Sequence, residues 1–319
     1  MVCAVALFCA LGTWVMLLAR RTGCVEFDRI LFPLGRRAPR ALVGGTFLFF
    51  LFGVVVVMLA GAGALLEQTF GVPARTGSAA LAALLAAVAL CGAQGIITAF
   101  SVAVPLLLAA ALAVSGLAFV RWGPAPIAAQ NGVGNPLLSN WVFSMLSFVS
   151  YNMMAAISIL VPIAPRAPGE RIIRWGILRG TAQLTLIFAG ILLPLLLYGA
   201  HVGDAPLPML ALAGQVHPAL GLVYAVLLLC GMFGSAASCL FGAALRTAQL
   251  RPGWSRRPVA LALVALALAG SAAGFKNLIS VLFPVCGYVS FFAMLGIVCR
   301  YVSLKRKETT AGRPGGKAP

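Results

Sequence analysis

Acidic residues are scarce in this sequence. Its 319 residues include six aspartates and glutamates and two histidines, against 23 lysines and arginines, and the net charge is +17. The acidic residues and histidines are Glu26, Asp28, Glu67, Glu170, Asp204, Glu308, His201 and His217. All lie in predicted loops or at the ends of apolar segments, so no carboxylate or imidazole is placed in the middle of an apolar segment to relay protons or hold a metal. This scarcity argues against a membrane enzyme.

Catalytic and nucleotide-binding motifs are also missing. The sequence contains no HExxH, GxSxG or GxxxxGK[ST] pattern, and no aspartate-rich motif of a membrane prenyl transferase. Its eight cysteines form no CxxC pair and no cluster with histidine. We therefore expect no disulfide framework, no metal site and no enzymatic activity. No basic residue precedes the first apolar run, so a cleaved signal peptide is not expected.

Long apolar runs dominate what is present. Hydrophobic residues make up 62% of the chain and charged residues 9%. Runs of about 18 residues or more are long enough to cross a bilayer as helices, and their continuous apolar character is unlike the alternation of a membrane β-barrel. The sequence predicts an all-α polytopic membrane protein. Its nine predicted spans are residues 1–19, 41–66, 77–94, 95–120, 137–163, 175–198, 218–245, 258–274 and 278–302, with the third and fourth folding back at Gln94-Gly95.

The basic residues predict the orientation. Arginines and lysines are concentrated in the first, fifth and seventh loops and from residue 300 onward, whereas the loops between them have few or none. Cytoplasmic loops collect such residues, so we expect a cytoplasmic C-terminus and an N-terminus outside. The positive charge therefore reflects topology and not nucleic-acid binding. Residues 24–37 resemble a short amphipathic surface helix, and residues 303–319 have the composition of a disordered cytoplasmic tail.

A polar cluster interrupts the fifth predicted span, in SFVSYNMMAAISILVP (residues 147–162). One interpretation is a helix broken near the middle of the bilayer, which is tolerated where the freed backbone groups line a wet cavity. The alternative is an intact helix whose hydroxyl and amide groups bond to neighbouring helices. The residue types alone favour the break. We predict that Ser147, Phe148, Ser150, Tyr151 and Asn152 bind a substrate.

Two stretches of small residues add further candidates. Gly61 and Gly63 would let a second backbone or a ligand come close, and we include both among the substrate-binding residues. Ser235 and Ser238 lie three apart, on one face of a helix, within GMFGSAASCLFG. Their hydroxyls are candidate ligands of a cation, although close helix packing explains the small residues better.

Four stretches of this sequence resemble the YkvI family of bacterial membrane proteins, a branch of the amino acid–polyamine–organocation transporter superfamily. They are GIITAFSVAVPLLLAA (95–110), SFVSYNMMAAISILVP (147–162), VYAVLLLCGMFGSAAS (223–238) and GFKNLISVLFPVCGYVSF (274–291). The resemblance implies the leucine-transporter architecture, with two inverted repeats of five helices, each opening with a broken helix. It also implies transport of amino acids or similar small solutes, often driven by sodium or protons.

The resemblance also implies where the repeats lie. The family begins with a glycine-rich broken helix that has no counterpart in this sequence, and the first span here is similar to the family's second helix. Residues 1–120 would then be the rest of the first repeat and residues 137–302 the second, within one transporter domain. Where the family often has two threonines, this chain has Gly234-Ser235, so one hydroxyl is absent.

These expectations amount to a secondary transporter of a small solute, working by alternating access in the bacterial cytoplasmic (inner) membrane. The partners expected are the solute and the lipid bilayer, with no nucleic acid. No cofactor is expected, and Na+ and H+ are the candidate coupling ions. Two alternatives stay open: a sensor or receptor subunit of the same fold that binds solute without moving it, and an N-terminally truncated, inactive form.

Overall fold

The computed structural model describes residues 2–23, 37–91, 94–124, 140–250 and 255–311. Over these ranges the chain is helical and contains no strand. The ten helices are α1 (Val2–Thr22), α2 (Arg37–Phe70), α3 (Ala74–Cys91), α4 (Gln94–Trp122), α5 (Trp141–Ile163), α6 (Glu170–Val202), α7 (Pro208–Val216), α8 (Pro218–Leu250), α9 (Arg256–Ser271) and α10 (Phe275–Ala311). A short 3₁₀ turn, Ala164–Arg166, follows α5.

Six of the described helices are long and apolar enough to cross a membrane. They are Val2–Thr22, Val43–Phe70, Pro105–Trp122, Glu170–Val202, Pro218–Ala248 and Phe275–Leu304. These lengths meet the requirement of about 20 residues for a hydrocarbon core about 30 Å thick. The other three predicted spans coincide with the helices α3, α5 and α9. The chain is thus a multi-pass helical membrane protein, and the count of nine crossings stays a prediction.

Helix ends follow the local sequence. At the start of α5, the Asn140 side chain accepts a hydrogen bond from the Val142 N–H at 3.0 Å, as an N-cap does. After α2, Gly71 adopts φ +68° and its N–H donates to the Glu67 carbonyl at 2.9 Å. Such a left-handed residue after a helix is easiest for glycine. Pro73 then precedes α3, so Gly71–Pro73 makes a tight connection.

The described chain divides into two compact units. Unit 1 comprises Met1–Phe47, Pro136–Leu184 and Phe283–Pro319, and unit 2 comprises Leu48–Asn135 and Thr185–Leu282. Each unit therefore takes segments from both halves of the sequence. The predicted division into 1–120 and 137–302 concerns internal repeats, which this grouping by contacts does not test.

Unit 1 is built around α1 and α5, which pack against each other. Gly12 of α1 lies against Ile177, where an added Cβ would be 3.4 Å from the isoleucine side chain. The Arg20 guanidinium donates to the carbonyl of Ala167, and the Arg21 guanidinium pairs with the Glu170 carboxylate at 3.1 Å. These contacts attach the basic end of α1 to the loop before α6 and to the first residue of α6.

Unit 2 contains the large apolar core, with fully buried side chains such as Leu59, Leu85 and Leu240. The Gln68 amide makes two hydrogen bonds to the backbone of Leu207, each 3.0 Å long. These bonds hold the start of α7 against the end of α2. Helix α7 is not predicted as an element because its nine residues are too few for a span.

The end of α10 differs from the prediction. The helix continues to Ala311, whereas the sequence predicts a span ending at 302 and disorder from 303. Lysine, arginine and glutamate favour helix in this stretch, so a helix already anchored in the membrane can extend into it. Residues 312–319, the amphipathic segment 24–36, and Gly92-Ala93 beside the predicted fold-back lie outside the described residues.

Candidate functional site

Helix α5 is continuous from Trp141 to Ile163. The prediction of a break around Tyr151 is therefore wrong for this structure. The sequence explains the continuity, because no glycine or proline occurs between Trp141 and Val161. Asn152 does not open the helix either, since its side-chain amide donates to the Phe148 carbonyl one turn earlier at 2.8 Å. Polar groups on α5 are thus offered by side chains rather than by freed backbone.

The polar face of α5 is buried. Ser147 is 4% exposed and Ser150 3%, and the side chains beside them, Met153 and Met154, are buried as well. Tyr151 and Asn152 are half-buried. A buried polar side chain in an apolar segment costs free energy unless it has a partner, so such positions are retained where they serve packing or binding.

A row of aromatic rings crosses this face within unit 1. Phe8 of α1 meets Phe148 edge-on with ring centroids 6.1 Å apart, and Phe148 meets Tyr151 in the same way at 5.6 Å. Tyr151 then stacks on Phe283 of α10 at 4.9 Å and 12°. Edge-on and stacked pairs at these distances are favourable beyond their buried area. The row joins three helices and fixes the orientation of the Tyr151 phenol.

Close contact between α5 and α10 occurs at Ser147. A Cβ placed on Gly287 would lie 1.8 Å from the Ser147 hydroxyl oxygen and 2.9 Å from its Cα, so only glycine fits. One turn further along α10, Ser290 is 1% exposed, and its hydroxyl has no hydrogen-bond partner among the described residues. A buried unsatisfied hydroxyl of this kind is unusual and calls for a ligand, a water or a functional role.

Sequence reasoning missed Phe8, Phe283, Gly287 and Ser290. A glycine and a serine three residues apart within the apolar run CGYVSF could have indicated a polar face on α10. Their partners lie about 140 residues away in the sequence, so no local pattern identifies the pairing.

The two predicted glycines lie in unit 2, and protein atoms occupy the space beside each of them. A Cβ on Gly63 would be 2.4 Å from the Ala74 carbonyl oxygen, and one on Gly61 would be 2.9 Å from the Phe275 ring. Gly63 also faces Gly77, whose own Cβ would be 3.0 Å from the Gly63 Cα. In this structure both glycines permit close packing, and their substrate-binding role stays a prediction.

The predicted cation ligands differ in their surroundings. Ser235 of α8 is half-buried, whereas Ser238, one turn later, is exposed. Gly61 lies near the same helix, because its Cβ would be 3.1 Å from the Met232 side chain. The structure describes Ser147 to Asn152 in unit 1 and Gly61, Gly63, Ser235 and Ser238 in unit 2. Their role as one site is therefore not tested.

Each unit contains a cavity among its described residues. The cavity in unit 1 has a volume of about 400 Å³, and Trp14, Arg174 and Tyr301 are among its lining residues, with none from α5. The cavity in unit 2 has a volume of about 700 Å³ and lies between the ends of α2, α3, α9 and α10.

The helices and their buried polar face define a polytopic helical membrane protein. Its sequence is 29% identical over 304 residues to the uncharacterized membrane protein YkvI of Bacillus subtilis (strain 168), covering 94% of this chain and 85% of that protein. The chain is thus similar to YkvI over most of both sequences. No protein-family model matches it.

Proposed function

We propose that this protein is a secondary transporter of a small solute, an amino acid or a related compound, working by alternating access. The observation that carries the proposal is the buried polar and aromatic face of α5 in unit 1. Hydroxyls of Ser147, Ser150 and Ser290 and the phenol of Tyr151 offer hydrogen bonds. The neighbouring Phe148 ring offers an apolar wall, so the face suits a solute that is polar at one end and apolar at the other.

The finer architecture belongs to the same proposal. We infer nine crossings arranged as a leucine-transporter-like inverted repeat, with the N-terminus outside and the C-terminus in the cytoplasm of a bacterial inner membrane. The likeness to YkvI over most of both chains supports a common arrangement.

The continuous α5 changes the mechanism that the proposal implies. In carriers with a broken helix, backbone groups and half-helix ends hold the solute. Here the side chains of α5 would do so, and Na+ or H+ coupling through Ser235 and Ser238 is the second part of the proposal. The same continuity favours one alternative, a sensor of the same fold that binds solute without moving it.

Uptake by the purified protein in proteoliposomes tests the proposal. We expect saturable uptake of at least one labelled amino acid, stimulated by an inward gradient of Na+ or H+. Tyr151→Phe keeps the ring stacked on Phe283 and removes only the hydroxyl, so it should lower uptake about tenfold if the phenol binds solute. Tyr224→Phe, the same change at a buried tyrosine of unit 2, is the matched control.

The outcomes separate the alternatives. Binding of an amino acid without uptake under any gradient would favour the sensor. Absence of both binding and uptake, or an equal loss in the two tyrosine variants, would contradict an α5 solute site.

A further inference from the structure

The cavity of unit 2 is lined by both signs of charge. It measures about 700 Å³, within the range of small-molecule pockets, which are mostly apolar with a few polar groups. Its apolar lining includes Ala60, Ala64, Leu268 and Phe275. Its charged lining residues are Glu67, Arg75 and Lys276. A cavity with this composition suits a small solute that carries opposite charges and an apolar portion.

Glu67 and Arg75 do not form an ion pair with each other. In the part of the chain that the structure describes, neither Glu67 nor Arg75 takes part in an ion pair. The Lys276 ammonium donates to the Asp204 carbonyl, which leaves two of its three N–H groups for another acceptor. One carboxylate and two cations are therefore available to a ligand.

Helix stability does not explain where these charges lie. Glu67 is in the last turn of α2, whereas Arg75 and Lys276 are the second residues of α3 and α10. A helix has a partial positive charge at its N-terminus and a partial negative charge at its C-terminus, so each of these three side chains is at the disfavoured end. Their positions strengthen the local field: α3 and α10 present positive ends, and α2 presents a negative end.

Two buried serines complete the lining. Ser78 is 4% exposed and donates to the Leu59 carbonyl at 2.9 Å, and Ser271 is 7% exposed and donates to the Leu268 carbonyl at 2.7 Å. With their protons engaged, both hydroxyl oxygens can still accept a hydrogen bond. An ammonium group can donate a hydrogen bond to these oxygens, whereas a simple anion has no proton to donate.

We propose that this cavity binds a zwitterionic amino acid with an apolar side chain, at a site separate from α5. Arg75 and Lys276 receive the carboxylate, and Glu67, supported by the hydroxyl oxygens of Ser78 and Ser271, receives the ammonium. The side chain lies against the apolar lining. The site does not rest on the transport proposal, because binding here requires no movement of the solute across the membrane.

Equilibrium binding of tritiated L-leucine to the purified full-length protein in detergent tests the site. Saturable binding is expected, and Glu67→Gln and Arg75→Gln should each weaken it at least about tenfold, the effect of losing one charged hydrogen bond. Arg171→Gln, an equally exposed charge in unit 1, should leave binding unchanged. Gel filtration of each variant shows whether it is folded.

Competition by charge-blocked analogues assigns each end of the ligand. Leucinamide lacks the carboxylate and N-acetyl-leucine lacks the ammonium, so both should compete poorly with wild-type protein. Relative to leucine, N-acetyl-leucine should lose less affinity in Glu67→Gln than in the wild type, and leucinamide should lose less in Arg75→Gln. In each case the ligand change and the substitution remove the same interaction, so their effects do not add. This pattern would not arise from general damage to the fold.

Three results would overturn the proposal. They are absence of saturable leucine binding to the wild-type protein, equal binding by wild type and both charge variants, and loss of all binding in Tyr151→Phe alone. Retained binding with no uptake by proteoliposomes would support this site while contradicting the transport proposal, so the two can fail separately.

Discussion

At the scale of the residue, the close contact between α5 and α10 requires a residue without a side chain at position 287. Gly287→Ala would place a methyl group 1.8 Å from the Ser147 hydroxyl and 2.9 Å from the Ser147 Cα. The backbone contact cannot be relieved by rotating a side chain, so we expect destabilisation of about 1–3 kcal/mol from overpacking. The thermal unfolding midpoint of the purified protein should fall.

The control for this change is Gly116→Ala in α4. Apart from its chain neighbours and the backbone of its own helix, nothing lies within 4 Å of a Cβ built on Gly116, and alanine is the better helix former, so the midpoint should stay or rise. Ser147→Ala in the Gly287→Ala background removes the hydroxyl contact but leaves the Cβ contact at 2.8 Å, so it should recover part of the loss. An unchanged midpoint in Gly287→Ala would contradict the described helix contact.

Gly63 separates a packing role from a binding role. Gly63→Ala would bring a methyl group within 2.4 Å of the Ala74 carbonyl oxygen, at the connection between α2 and α3. We expect a lower unfolding midpoint, with solute binding lost only in proportion to the folded fraction. A variant that stays as stable as the wild type but no longer binds or moves solute would instead support the predicted contact with substrate.

At the scale of the element, the start of α5 offers a matched pair of caps. Asn140 accepts a hydrogen bond from the Val142 N–H, whereas Ser255, at the equivalent position before α9, makes no side-chain cap bond. Asn140→Ala should therefore cost about 0.5–2 kcal/mol, while Ser255→Ala should cost close to nothing. Equal shifts of the unfolding midpoint in the two variants would contradict the cap.

Much of the helical layout could be predicted from the sequence. Apolar runs and prolines place the ends of α5 at Ile163 and the start of α8 at Pro218, and the structure agrees at both. The conformation of α5 could not be predicted in the same way, because serine, tyrosine and asparagine are compatible with a break or with a helix. The environment decides: Ser147 and Ser150 are buried and Asn152 bonds within its own helix, so the helix keeps its backbone hydrogen bonds.

Contacts between segments that are distant in the sequence could not be predicted from local sequence patterns. Nothing in the sequence near Tyr151 indicates that it stacks on Phe283, and nothing near Ser147 indicates Gly287. The charges of the unit 2 cavity illustrate the same limit, since Glu67 and Lys276 come together only after four helix ends meet. Local periodicity finds helices, whereas a site made by several helices depends on their packing.

At the scale of the whole molecule, the proposed orientation follows from the distribution of arginine and lysine. The connection around Pro168 has Arg166 within it and Arg171 in the next turn of helix and should face the cytoplasm, whereas the loop around Asp204 contains neither arginine nor lysine and should face outward. In a cysteine-free background, Asp204→Cys should react with a membrane-impermeant maleimide in right-side-out vesicles. Pro168→Cys should react only after detergent is added, because the bilayer shields it. Labelling of both sites after detergent confirms that each thiol is accessible. The reverse pattern would place the N-terminus inside. It would also place the cavity of unit 2 on the cytoplasmic side, because Glu67, Arg75 and Lys276 belong to the end of unit 2 that we assign to the outer side.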